Sequence, residues 1–170
     1  MSLEEELLIL KAKAAAERGR VAQAQGDLEA AAYYFAHSLE WAETPEARVG
    51  RAQALSYEGK LELAIAECKK AIALDAAKGQ AYNDIGVYLM QLGREDEAVP
   101  WLQQAIQAEQ MQERHFPYYN LGRIFERKQH LEAAAAAYEA SLMADPGFSS
   151  AHGALARVLQ KLQRPVGNEP

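Results

Sequence analysis

The side chains that could carry chemistry are few. Four histidines occur, at His37, His115, His130 and His152, and none stands at a helical metal-ligand spacing from another. The single cysteine, Cys68, excludes an internal disulfide and a cysteine-rich zinc site. No glycine-rich phosphate loop, nucleophile elbow or pair of catalytic carboxylates is present. The acids at 4–6 and 95–97 stand where helices begin, facing the positive end of the helix dipole. These residues predict no enzyme, no cofactor and no metal. What remains is the chemistry of recognition: the amides Gln53 and Asn83, the phenols Tyr57 and Tyr119, the guanidiniums Arg123, Arg127 and Arg157, and the apolar Val87 and Met90. Amides bond an extended backbone as donor and acceptor together. Tyrosine offers rigid apolar area with a polar tip. Arginine pairs bidentately with carboxylates.

The elements that position these residues are helices. The chain has 170 residues, 49% hydrophobic, with six prolines and eleven glycines. Alanine, leucine, glutamate and glutamine dominate, and all favour helix. A net charge of −6 argues against a nucleic-acid partner and against an anionic membrane surface. The opening MSLEEELLIL has acids where a signal peptide needs a basic segment, and no run reaches the length of a membrane span. A cytoplasmic protein is expected.

Small residues recur through the chain. Gly19, Ala52, Gly86, Gly122 and Ala156 are spaced by 33, 34, 36 and 34 residues. Ala31, Ala64, Ala98 and Ala134 step by 33, 34 and 36, as do Ser38, Ala71, Ala105 and Ser141. Tyr82, Ile85, Leu89 and Leu92 follow a helical period, Gly93 ends that helix, and Val99, Leu102 and Ile106 resume the stripe. Each unit is therefore helix, tight turn, helix, with a small residue wherever two backbones cross. Phe35, Cys68, Leu102 and Tyr138 occupy one position opposite those crossings, which makes Cys68 a core residue.

This period and pattern resemble the tetratricopeptide repeat (TPR). Tyr118, Leu121, Gly122, Phe125, Ala134, Tyr138 and Asp145-Pro146 carry the resemblance most fully, and Tyr82, Ile85, Gly86, Leu89, Ala98 and Leu102 repeat it. Gly19, Gly26, Ala31 and Phe35 match in the first unit, and Ala52, Leu55, Gly59, Ala64 and Ala71 in the second. Arg18 and Arg51 depart from the leucine the family uses. The resemblance implies an all-α, right-handed superhelical solenoid of four TPR units plus a C-terminal capping helix. The repeats fall at about 12–44, 45–78, 79–112 and 115–147, with the cap at 148–163, in one domain over 1–163 and a disordered tail at 164–170. Helices are predicted over 3–25, 27–42, 45–58, 60–74, 78–92, 94–112, 116–128, 130–144 and 148–163. The sixth is lengthened to absorb the two extra residues before 117.

A solenoid of this kind lines a concave groove with the first helix of each repeat. The resemblance places Gln53, Tyr57, Asn83, Val87, Met90, Tyr119, Arg123, Arg127 and Arg157 there. It implies a non-catalytic module that binds a peptide or helix of another protein, with the arginines favouring an acidic or C-terminal segment. Some family members clamp a chaperone's C-terminal carboxylate with lysine, asparagine and arginine. The corresponding positions here are Ala16, Arg20, Gly50, Gln80 and Asp84, or, one repeat later, Val49, Gln53, Asp84, Phe116 and Asn120. Neither set reproduces the clamp. The alternative function is a scaffold that self-associates into a homo-oligomer through an N-terminal helix extension, opened by a Ser2–Glu5 capping box and lined by Leu3, Leu7 and Leu10.

Overall fold

A computed structural model describes residues 1–163. The expected tail at 164–170 lies outside the described residues. Nine helices are present among them, with no strand: α1 (Leu3–Ala24), α2 (Leu28–Trp41), α3 (Pro45–Tyr57), α4 (Leu61–Leu74), α5 (Gly79–Gln91), α6 (Glu95–Gln107), α7 (His115–Arg127), α8 (Leu131–Ala144) and α9 (Ser149–Gln163). They pack in sequence as four pairs, α1·α2, α3·α4, α5·α6 and α7·α8, and α9 packs on α8. The first helices of successive pairs also touch, α1 with α3, α3 with α5 and α5 with α7, which makes the chain a helical solenoid. No helix among the described residues is long and apolar enough to cross a membrane.

Glycine sets the turns inside the pairs. Gly26, Gly59 and Gly93 all have φ between +74° and +80°. In each turn the next N–H reaches back to a carbonyl of the preceding helix: Asp27 to Ala22 at 2.9 Å, Lys60 to Leu55 at 2.9 Å and Arg94 to Leu89 at 2.8 Å. This closure needs one left-handed residue, which glycine supplies without steric cost. The fourth turn has the same closure, His130 to Phe125 at 2.9 Å, but Gln129 takes the left-handed position at φ 59°. At the N-termini, Ser2 and Glu5 form the capping box of α1, Asp27 caps α2, and Thr44 caps α3 ahead of Pro45.

The pairs are held at the small-residue crossings. A Cβ on Gly86 would lie 2.5 Å from Leu102, and one on Gly122 would lie 2.5 Å from Tyr138. Gly19 meets Phe35 in the same way, and so does Gly50 of the next pair, so that Phe35 is clasped between α1 and α3. The serines of the third small series also cross-link helices: Ser38 donates to the Ala12 carbonyl at 2.7 Å and Ser141 to the His115 carbonyl at 2.8 Å. Cys68 is fully buried, as its register with Phe35 and Tyr138 predicts, and burial pushes its thiol far up from its ordinary range.

The sixth helix does not run to 112. It stops at Gln107, and the extra residues form a loop. Ala108 turns extended, Gln110 N–H bonds the Ala77 carbonyl at 3.0 Å, and Arg114 bonds the carbonyls of Ile106 and Ala108. The loop is pinned because Met111 is buried against Gly79, where a Cβ would lie 2.5 Å away. A continued helix would forgo that apolar burial.

Candidate functional site

The first helices of the four pairs line an open groove of about 1010 Å3. Of the nine residues expected there, Gln53, Asn83, Val87, Tyr119 and Arg123 line it. Arg127 and Arg157 line a smaller adjoining pocket of about 310 Å3, which also touches Tyr119 and Arg123. Two residues are misplaced by the sequence reading. Tyr57 ends α3 one turn beyond Gln53, the last α3 residue lining the groove, and is exposed there without lining it. Met90 is 5% exposed, buried in the core that α5 shares with Leu121 and Ile124 of α7.

The floor of the groove is a polar chain across four helices. Gln23 Nε2 donates to Gln53 Oε1 at 3.0 Å, and Gln53 Nε2 donates to Asp84 Oδ2 at 3.0 Å. Asn120 Nδ2 donates to Asn83 Oδ1 at 3.2 Å, and Arg123 reaches Asn120 Oδ1 at 3.4 Å. Asp84 is the charged member. Burial pushes its carboxyl up from 3.8 to about 6, against the opposing effect of hydrogen bonds from Gln53 and Asn83. At neutral pH the middle of the groove therefore carries a negative charge.

The three arginines are not equivalent. Arg157 Nε and Nη2 bind the two oxygens of Glu126, each at 2.9 Å, and Lys161 adds a contact at 2.8 Å. Arg157, followed by Lys161 and the Tyr138 hydroxyl, holds the Glu126 carboxyl down at about 2 despite its burial. The expectation that Arg157 is free for a partner carboxylate is thus corrected: an internal glutamate on α7 engages its Nε and Nη2 and ties α9 to the solenoid. Arg127 pairs with Glu95 at 2.9 Å. Arg123 has no carboxylate partner among the described residues and stacks over Tyr119, 5.9 Å from the ring centre.

At the same end Tyr119 is joined in an aromatic wall by Phe116 and Phe148, which are not among the nine expected residues. Phe116 and Phe148 are 5.5 Å apart between ring centres, and Tyr119 and Phe148 are 5.2 Å apart. All three line the groove and are half-buried. Phe116 shares the helical phase of Asn120 and Arg123 on α7, whereas Phe148 lies in the turn before α9, outside any helical phase. Among the described residues no three histidine, cysteine or carboxylate side chains come together to hold a metal ion.

Models of the tetratricopeptide repeat match residues 49–112 and 117–148. No curated protein matches the sequence. Among solved structures, PilF of Pseudomonas aeruginosa superposes with a TM-score of 0.83 at 25% identity, over 90% of this chain and 69% of that one. PilW, a type IV pilus biogenesis factor, gives 0.79 at 19% identity, over 88% and 69% of the two chains. YrrB, a TPR protein with an unusual peptide-binding site, gives 0.66 at 20% identity, over 84% and 73%.

Proposed function

The chain belongs to the tetratricopeptide-repeat family, whose repeats make protein–protein interaction modules, and on that footing we propose that it works without catalysis, binding a segment of a partner protein along its concave groove. The observation that carries this reading is the groove itself, whose floor presents amides and whose far end pairs an aromatic wall with an uncompensated arginine. A segment laid along the floor meets Gln53, Asn83 and Asn120, which bond a backbone without regard to its sequence. An apolar side chain fits against Phe116, Tyr119 and Phe148. An acidic side chain or a terminal carboxylate fits Arg123, whereas Asp84 disfavours an anion in the middle of the groove. The polarity predicts a segment with its acidic or C-terminal end toward α7 and α9.

The test uses peptides selected from a displayed random library against the whole chain. Their affinities are then measured by calorimetry for the parent and for Tyr119→Ala/Arg123→Ala. A loss of about 10-fold or more, the scale of a hot-spot residue, supports the groove. Undiminished binding by the double variant, with helicity unchanged, refutes it.

A further inference from the structure

The face of α1 turned away from the other helices carries exposed apolar side chains. Here Leu3 is 86% exposed, Leu7 51% and Leu10 63%. Together with exposed Ala14 they are spaced by four, three and four residues. That is the spacing of a helix–helix seam. The helix buries Ala12, Ala15, Ala16 and Gly19 against the rest of the molecule, and at about 100° per residue the leucine stripe falls on the opposite side.

The charges beside the stripe identify what covers it. Glu4 and Lys11 flank it on one side, Glu6 and Lys13 on the other, and all four are exposed. None of the four has an ion-pair partner among the described residues; Lys13 also borders the groove. We propose that this face binds the same face of a second copy, with the two α1 helices antiparallel. Leu7 of one copy then meets Leu10 of the other, and Leu3 meets Ala14. In that register Glu4 falls beside Lys11 of the second copy and Glu6 beside Lys13, and two-fold symmetry repeats both pairs. All four flanking contacts are attractive. A shift by seven residues would set Leu7 against Glu17 and Lys11 against Lys11. A parallel pair running the length of the helix would set Glu6 beside Lys11 but also Glu17 against Glu17 and Lys13 beside Arg18. The charge pattern selects one orientation and one register, which is how flanking residues specify helix partners.

Sedimentation equilibrium on the whole chain, at concentrations up to about 1 mM to reach weak association, tests the proposal. The parent mass should rise from one chain to two, and Leu7→Glu/Leu10→Glu should remain a monomer of unchanged helicity. Two charge-reversed chains, Glu4→Lys/Glu6→Lys and Lys11→Glu/Lys13→Glu, separate the seam from generic stickiness. Each alone should dimerise about 10-fold or more weakly than the parent, and their equal mixture should restore a dimer, because every flanking pair is again opposite in sign. A parent that stays monomeric overturns the proposal, and so do reversed chains that self-associate as well as the parent. A monomeric parent that floats with phosphatidylcholine–phosphatidylglycerol vesicles would assign the face to a membrane instead.

Discussion

Asp84 offers a quantitative test of the groove's electrostatics. Its carboxyl is raised from 3.8 to about 6 by burial, so folding favours the neutral form. At pH 4 the group is still neutral when folded and only about half ionised when unfolded, so its cost is small. As pH rises through 6, the folded protein must ionise a group that the unfolded chain ionises more easily, and stability falls. A displacement of about two pH units corresponds to about 3 kcal/mol at pH 7 and above. Asp84→Asn keeps the shape and still accepts from Gln53 Nε2, but it cannot ionise. Its new N–H group needs an acceptor, which reduces the net gain to about 1–3 kcal/mol at pH 7.5. For a chain of this length that is about 2–10 °C in Tm. Circular dichroism melts of parent and variant at pH 4, 6 and 7.5 measure the difference, and groups that titrate alike in both cancel. The variant should be more stable at pH 7.5 and should have lost that advantage at pH 4, where the cost of its added N–H group remains. A variant that is no more stable at pH 7.5, or a carboxyl titrating near 3.8 by NMR, would refute the assignment of Asp84 as a desolvated charge.

Gly50→Ala should destabilise by about 1–3 kcal/mol in urea, because the added carbon overlaps the Phe35 ring that Gly19 also contacts; an unchanged midpoint would show that Phe35 has room to move. Gln129→Gly should stabilise by about 0.5–1 kcal/mol, since it relieves the only left-handed non-glycine residue among those described, and a lower melting temperature would mean that the glutamine side chain contributes more than its backbone costs. Glu126→Ala removes the shared acceptor of Arg157, Lys161 and Tyr138 and should cost about 1–3 kcal/mol at pH 7. Faster hydrogen exchange should appear first in α9, and protection lost evenly over the chain would show that Glu126 is not its particular tether. The contribution of Glu126 to the parent belongs to its ionised form, so it is complete above about pH 4.5 and fades as pH falls toward 2.

The repeat was legible in the sequence because its physics is local and periodic. A small residue every 33–36 positions, a glycine after three of the four apolar stripes and a buried side chain opposite each crossing are properties of a helix and its neighbour. They place the helix ends to within a residue or two everywhere except α6. There the count of residues was right and their conformation was not, because Gly79 is what gives Met111 a place to bury, and that contact spans 32 positions. The groove was half legible. Helical phase places Gln53, Asn83, Val87, Tyr119 and Arg123 on it, but phase cannot say how far along a helix the groove extends. Tyr57 therefore fell beyond its end and Met90 beneath a neighbouring helix. Charge was the least legible property. Arg157 and Arg123 look alike in the sequence, yet one is paired with Glu126 and the other has no carboxylate partner among the described residues. Local sequence decides which residues are on a helix face. Only the packing of one repeat on the next decides which charges on that face are already neutralised, because each such pair is made between residues about one repeat apart.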